Sequence, residues 1–493
     1  MSRIEQTIEA KKAKRLALEK LGVVIHPYSF AKKQSIVQAI AAVDTNEAVQ
    51  TAGRVMAYRA HGKVVFLDLL DQTGKIQVML HQGRLSEKQF EILSLVDPGD
   101  FLGVSGLVEK TRTGEITIIA DNLEFLGKSL RPLPSEFNTA SDKEARFRQR
   151  YLDLLINVEA RQVLQKRWQI LRQLRAFLQE QLDYTEVETP ILQTLYGGTN
   201  ARPFTTHMNS LDADFYLRIA PELYLKRLLV GGMERIFEIA RNFRNEGIDQ
   251  THLPEFTMVE WYRAYGDYQT MMDEIENLIK FLQRQINESD QLKIGEQEIA
   301  LIEKDEHGQE KKWPKLTMSQ ALQKYEQLDV ETLTDEQLQK LLTENKLKPI
   351  GAFSRGKAIF SLFDHLVTKK LLAPTWIIDY PKDVSPLAKT HRLNPDLVER
   401  YELYIGGKEI ADGWSEITDP LEQRARFENE QQRMREGDDE AQPLDEEFLT
   451  AMEYGLPPLG GVGLGIDRLA MLLTNTWSIK EVVAFPTLKG LEN

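Results

Sequence analysis

The chain contains no cysteine. That excludes disulfides, thiolate zinc sites and a cysteine nucleophile, and it fits the cytoplasm. It has no run of about 18 apolar residues able to span a bilayer, so no membrane association is expected. The N-terminal stretch MSRIEQTIEAKKAKRLALEK lacks the apolar core of a signal peptide. Positive charge is not in excess either. The net charge is −13 and the pI about 5.4, so any nucleic-acid surface must be local. The eight histidines show no metal-ligand spacing. His207 and His252 stand alone, and a lone histidine is more often structural than a ligand. There is no Gly-Lys-Ser/Thr phosphate loop and no dinucleotide-binding glycine fingerprint. There is also no tandem repeat and no low-complexity run.

What is present is an ordinary globular composition. The chain has 493 residues, 42% hydrophobic and 28% charged, enough for two to four domains with ample core. Residues 1–45 read as a helical leader. Ile4, Ile8, Leu16, Leu18 and Leu21 are roughly helically spaced, with Lys11, Lys12, Lys14, Arg15 and Lys20 between them. The basic residues form either a solvated face or a phosphate-touching arm. Residues 46–134 turn to β texture. Five strand-like runs, VMAYRA, KVVFLDLLD, KIQVML, FLGVSGLV and EITIIADNLEFL, are separated by glycine and proline turns. That strand count suggests a small closed barrel of the oligonucleotide-binding (OB) type. Leu130 to Pro134 reads as a linker.

Residues 135–493 form the remainder. The clearest helix covers 158–182, with Val163, Leu164, Trp168, Leu171, Leu174, Phe177 and Leu178 on one stripe. Thr185 to Pro190 reads as a strand closed by proline. A shorter helix is expected around Glu222 to Leu229. A mostly helical insertion spans about 270–370, polar from 325 onward. In it Thr334 and Gln337 make a capping box. From 446 onward a helix, a glycine-rich strand and a final helix near Arg468 to Leu473 follow.

Three groups of residues could carry chemistry. Arg244 and Glu246, at strand spacing, would share one face, with a guanidinium for phosphate and a carboxylate for an exocyclic amine. Phe256 lies within a hairpin length and could stack on a base. The plainer alternative is an exposed ion pair of little energetic value. Gly461, Gly463 and Gly465 alternate along a strand, allowing a ligand close to the backbone. Glu402, Glu409, Asp412 and Glu416 are dense in carboxylate, and hard cations such as Mg2+ prefer oxygen ligands. Gly406-Gly407 favours a turn between two strands. The alternative there is a solvated acidic loop.

Together these residues resemble the class II aminoacyl-tRNA synthetases, and within them the lysine-specific branch. The resemblance runs from about Thr51 to Pro486. The helix with Glu186 to Pro190 is similar to the first class II signature, which in the family builds the dimer interface. Phe243-Arg244-Asn245-Glu246 to His252-Leu253-Pro254-Glu255-Phe256 is similar to the second, and Gly463 to Arg468 to the third. Gln149 to Leu154, Ala201 to Phe204, Ala220 to Lys226 and Ser385 to Ala388 narrow the branch.

The resemblance implies an OB-type barrel followed by an antiparallel-sheet catalytic domain with flanking helices, a multidomain α+β chain. It implies a homodimer that uses ATP and Mg2+ to activate L-lysine and transfers it to the 3′ end of tRNA(Lys). Arg244 would meet the α-phosphate and Arg468 the γ-phosphate. Glu246 would sit near the adenine amine, His252 near the distal phosphates and Phe256 on adenine. Glu402 and Glu409 match metal ligands. Gly198, Glu222, Glu260, Tyr262, Asp412, Trp414 and Glu416 match the amino-acid pocket. Phe66, Gln77 and Glu115 match anticodon contacts, as expected of a barrel that stacks single-stranded bases.

Asp412 departs from the usual asparagine, Trp414 from phenylalanine or tyrosine, and Thr199 from alanine. Asp412 would place an extra negative charge beside a cation pocket and could admit related diamino acids. Three rivals are weighed. An aspartate or asparagine enzyme sits badly with Glu222, Glu260 and Glu416. A relative that lysylates a protein would lack the barrel. A non-catalytic RNA-binding protein would not need Arg244, Glu246 and Arg468.

Overall fold

The computed structural model describes residues 1–134, 143–347, 353–385, 388–435 and 442–489. Pro386 and Leu387 of the Ser385 to Ala388 motif lie outside the described residues. The chain divides into two compact units, Met1–Thr139 and Ala140–Asn493.

In the first unit β1 (Val49–His61), β2 (Val64–Leu70), β3 (Lys75–His81), β4 (Phe101–Lys110) and β5 (Ile116–Gly127) close a barrel in the order β1-β2-β3-β5-β4. Strict alternation explains it. Val65, Leu67 and Leu69 of β2 and Ile76, Val78 and Leu80 of β3 point inward, so Phe66 and Gln77 fall on the outer face.

The leader is helical only over Arg3–Lys20 and Ile36–Ala41, not throughout 1–45. Its first helix opens on a Ser2–Glu5 capping box. Two of the five apolar residues, Leu18 and Leu21, pack on the barrel core. Ile4 and Leu16 are exposed, while Leu18, followed by Ile25 and Ile36, enters the barrel core. Lys11 donates to the Pro98 carbonyl at 2.9 Å, and Lys14 pairs with Asp97 at 2.6 Å. These two cations serve the docking of the helix and are neither a free solvated face nor a free arm.

The second unit holds β6 (Thr185–Glu186), β7 (Leu192–Gln193), β8 (Phe204–Met208), β9 (Ala213–Leu217), β10 (Arg235–Phe243), β11 (Glu255–Ala264), β12 (Gln291–Ile294), β13 (Gln297–Ala300), β14 (Lys315–Leu316), β15 (Thr375–Pro381), β16 (Leu397–Ile405), β17 (Lys408–Ser415) and β18 (Leu459–Gly465). Eight of them form one sheet in the order β14-β15-β16-β17-β18-β11-β10-β6. It is antiparallel except for the short β6 and β14 at its edges. The 185–190 strand is thus reduced to a two-residue pair, because the chain turns away toward Pro190.

One face of this sheet is the core. Val259 and Trp261 of β11, Val462 and Leu464 of β18 and Tyr401 and Leu403 of β16 pack against Met271, Ile275, Leu278 and Leu282 of the helix Tyr268–Asn287. Asp267 caps that helix by accepting from the Thr270 amide at 3.1 Å. The helix Val158–Ala176 also lays Ile170 and Leu174 into this core and continues as a short π turn, Phe177–Gln181. Trp168, expected on its apolar stripe, is 55% exposed, and the buried Ile170 takes that place. The segment from 325 to 370, read as helical and polar, also buries an apolar side. Ile359, Leu362 and Phe363 of the helix Arg355–Leu366 build a core of their own with Leu338 and Leu342. The Thr334–Gln337 capping box is present.

Candidate active site

Alternation along the sheet leaves the second face free for a site. On β11, Phe256, Met258, Glu260 and Tyr262 point away from the core. In the register Met258, Glu260 and Tyr262 stand opposite Gly465, Gly463 and Gly461 of β18. Asp412 and Trp414 of β17 face Gly463 and Gly461 from the other side. The three glycines form a trough between rows of side chains. A Cβ at Gly461 would collide with Glu416 and Tyr262, and one at Gly463 with Met258. A cavity of about 340 Å3 lies over this trough.

Of the residues read from the sequence, Gly198, Glu222, Arg244, Glu246, His252, Phe256, Glu260, Tyr262, Glu409, Asp412, Trp414, Glu416 and Arg468 line the cavity. Glu402 does not. Phe66, Gln77 and Glu115 belong to the barrel unit. There Phe66 and Gln77 share the outer face of β2 and β3, with Gln77 accepting from the Thr117 hydroxyl at 2.9 Å. Glu115 is exposed at the β4–β5 turn.

The phosphate-like end is built by the loop after β10 and the helix after β18. β10 stops at Phe243, so Arg244 and Glu246 sit on a loop and not on the strand face their spacing suggested. The Arg244 amide donates to the Pro254 carbonyl at 2.9 Å, and its guanidinium lies 5.1 Å over the Phe256 ring. Among the described residues that guanidinium has no ion-pair partner, and its Nε is buried without a hydrogen bond. Burial pulls its pKa below the ordinary arginine value.

Arg468 lies in the first turn of the helix Ile466–Leu473, where a cation opposes the helix dipole. Glu409 offsets that, at 3.4 Å from the guanidinium. Arg468 also donates to His252 Nε2 at 2.8 Å. His252 Nδ1 in turn meets Asp249 at 2.8 Å, which assigns the His252 proton to Nδ1. Asp467 anchors the element by pairing with Arg167 of the Val158–Ala176 helix and accepting from the Thr257 amide at 2.9 Å.

The other end is acidic. Glu222 opens the helix Glu222–Val230, a favourable place for a carboxylate. Gly198 has φ +93°, and a Cβ there would meet the Glu222 side chain at 2.9 Å. Glu260 accepts from the Tyr262 hydroxyl at 3.0 Å. Its pKa is pushed up to about 8 by burial, with the Glu222 charge adding to it. Glu416 accepts from Trp414 Nε1 at 2.7 Å. A residue given no role from the sequence sits among them. Lys226 Nζ is 2.6 Å from both Glu222 and Glu416. Burial opposes its charge, but those two carboxylates hold its pKa above the usual lysine value.

Arg400 was also missed. It grips Asp412 through two hydrogen bonds of 2.9 Å and Glu402 through one of 2.6 Å. Asp412 therefore does not add a bare negative charge to the pocket, as its departure from asparagine suggested. Glu402 is buried, with its second oxygen accepting from Tyr404 at 2.6 Å. Burial and the nearby Glu409 raise its pKa, against the opposing pull of Arg400. Lys226 closes the Ala220 to Lys226 segment and stands four residues from Glu222 on one helix face, a local signal that could have paired them; its second partner Glu416, and the Asp412 partner of Arg400, lie on other strands or beyond them. No cluster of three or more His, Asp or Glu fit to hold a metal occurs among the described residues.

Comparison with known proteins gives concordant matches. The family described as tRNA synthetases class II (D, K and N) matches residues 142–489, and the OB-fold nucleic acid binding domain matches residues 49–126. A lysine–tRNA ligase 2 from Methanosarcina mazei is 45% identical over 98% of this chain and 94% of its own length. A lysine–tRNA ligase from Methanoculleus marisnigri is 46% identical over 97% of this chain and 94% of its own. One from Clostridium acetobutylicum is 43% identical over 90% of this chain and 85% of its own.

Proposed function

Because the chain belongs to the class II tRNA synthetases of the D, K and N group, we infer that its cavity joins L-lysine to tRNA(Lys) at the expense of ATP. The observation that carries this reading is the polarity of the cavity. Six residue steps along β11, about 20 Å of extended chain, separate Phe256, beneath a guanidinium with no ion-pair partner among the described residues, from Tyr262, beside three carboxylates. A triphosphate suits the first end and a diamino acid the second.

In the first step the lysine carboxylate attacks the α-phosphate in line. Arg244 meets the charge growing on the equatorial oxygens; its lack of an ion-pair partner leaves the planar donor fork free for them. Arg468, steadied by His252 and Glu409, holds the γ-phosphate and the departing pyrophosphate. Phe256 stacks on adenine, and Glu246 takes its amine. No protein nucleophile is required, since positioning and electrostatics carry phosphoryl chemistry of this kind. Glu222 binds the α-amine, with Gly198 leaving it room. Glu260 and Glu416 face the side-chain ammonium. The terminal ribose hydroxyl of tRNA then attacks the mixed anhydride.

Of the two expected Mg2+ ligands only Glu409 is placed for the role, since Glu402 lies outside the cavity lining with its oxygens on Arg400 and Tyr404. Glu409 lines the cavity and would hold the ion, which would supply positive charge against the phosphates. Phe66, Gln77 and Glu115 would read the anticodon by stacking and edge contacts. The protein acts in the cytoplasm, with the rest of translation. It pairs as a homodimer through the 158–190 region, where Val158 and Trp168 are exposed apolar side chains.

ATP–pyrophosphate exchange with each of the twenty amino acids and ornithine tests the reading. Exchange with lysine alone is expected, because Arg400 neutralises Asp412 and leaves the lysine pocket its own charge. Exchange with ornithine would mean that Asp412 and Trp414 have widened selectivity. Charging of a protein acceptor but not of tRNA would replace the second half of the reading. No exchange with any amino acid, in folded protein with Mg2+, would overturn it.

A further inference from the structure

Lys226 has a buried charge, yet the adenylation chemistry gives it nothing to do. Its ammonium sits between Glu222 and Glu416, 2.6 Å from each, and 6.0 Å from the centre of the Tyr262 ring. Each of the three carboxylates in the acidic end gives one oxygen to an internal donor and keeps the other for the cavity. Glu222 gives Oε1 to Lys226, while its Oε2 faces the space left by Gly198. Glu416 gives Oε2 to both Lys226 and Trp414, while its Oε1 overhangs Gly461. Glu260 gives Oε2 to Tyr262, and its Oε1 has no hydrogen-bond partner among the described residues.

The charges then balance for one kind of ligand. Once Glu260 has ionised to receive its ammonium, three carboxylates and one resident ammonium leave two net negative charges, and each carboxylate keeps one oxygen directed at the cavity. A substrate with two ammonium groups matches that charge. Building on the lysine reading above, we propose that Lys226 is a specificity-determining positioning residue, an internal counter-ion that fixes Glu222 and Glu416 and sets the pocket's charge for a diamino acid. Without it Glu222 and Glu416 would face one another with no cation between them, and at neutral pH one of these two, besides Glu260, would take up a proton, as like charges in a dry site do. A protonated carboxyl donates to its neighbour and no longer receives an ammonium.

The test is the KM for L-lysine and, separately, for ATP in pyrophosphate exchange between pH 7 and 9. It compares the unmodified protein with Lys226→Met and Lys226→Arg. The groups facing the position are Glu222 on its own helix, Glu260 and Tyr262 on β11, and Glu416 beyond β17. Lys226→Met should raise the lysine KM about tenfold or more at pH 7, with recovery toward pH 9 as the displaced proton leaves; the ATP KM should not move. Lys226→Arg keeps the charge and should hold the lysine KM within about threefold, with the unmodified pH profile.

A lysine KM unchanged in Lys226→Met would overturn the proposal. So would lysine and ATP constants rising together without pH dependence, which marks a merely structural residue. If Lys226→Met does not fold, Lys226→Arg decides, and a rise above about tenfold there overturns the proposal. Absence of lysine-dependent exchange in the unmodified protein would refute the lysine reading itself, a distinct outcome.

Discussion

At the Phe256 end of the cavity the Arg244 side chain is half-buried, with its Nε buried and its guanidinium without an ion-pair partner among the described residues. At the Tyr262 end Glu222 and Glu416 clamp Lys226 between them. The first arrangement has a cost in the ligand-free protein, since a half-buried charge with a buried, unbonded Nε wants a partner. It is tolerable where a polyanion arrives to fill it. The second is neutralised in advance, but only in part, so that residual negative charge remains for a cation. One cavity thus holds one site that the ligand completes and another that the protein has trimmed to fit. The difference follows from the ligands. A triphosphate brings excess charge of one sign, whereas lysine brings two ammonium groups and a carboxylate that must stay free to react.

Breaking the unpaired end should have the largest effect. Arg244→Ala is expected to lower pyrophosphate exchange by roughly a thousandfold or more, the scale of losing a main oxyanion contact, while tRNA binding in a filter assay stays unchanged. Retained exchange would mean that the phosphate lies elsewhere.

Next comes the acidic end. Glu260→Gln should cut kcat/KM for lysine by about a hundredfold, as expected when a buried ammonium loses its partner charge. The KM for ATP serves as the control. An equal loss for both substrates would move Glu260 out of the lysine pocket.

The same carboxyl makes a pH prediction. Glu260 is pushed up to about 8, so below that pH it is largely protonated and must ionise to receive an ammonium. Lysine binding at pH 7 should therefore release on the order of one proton, falling away above about pH 9. Calorimetry in buffers of different ionisation enthalpy measures this, and Glu260→Gln should abolish it. Stability of the ligand-free protein has the opposite sign. A carboxyl whose pKa rises on folding from about 4.3 favours the fold at low pH, and that contribution is lost as pH climbs toward about 8. Thermal melts across this range should fall without lysine and fall less with it.

The smallest change is expected at Asp412. Its charge is spent on Arg400 through two 2.9 Å bonds. Asp412→Asn should shift the lysine KM only a few-fold and cost about 1 kcal/mol of stability, because both side chains keep some solvent contact. A tenfold or larger change in lysine affinity would mean that Asp412 acts on the substrate directly.

Much of the fold was legible because strands announce themselves by alternation. The five barrel strands were found from the sequence, and so was the face of β18 that carries Gly461, Gly463 and Gly465. Most of the site was legible through the resemblance of short segments, and thirteen residues named from it line one cavity. The failures share a cause. Trp168 looked like a core residue by periodicity but lies exposed, and so do Ile4 and Leu16 of the leader helix, while Leu18 beside them is buried. Glu402, grouped with its acidic neighbours, is held behind the cavity by Arg400 and Tyr404. In each case periodicity or composition named the residue type, and burial in the folded chain decided its place.

The sequence by itself determined the order of the elements, which side chains share a strand face, and the residue types available to phosphate, cation and base. Those are short-range properties, set by backbone geometry and the two-residue repeat of a strand. Only the tertiary structure decided which charges neutralise one another. Lys226 to Glu416 and Arg167 to Asp467 span 190 and 300 positions. An ion pair depends on distance and burial, and neither exists until the sheet has brought those side chains together.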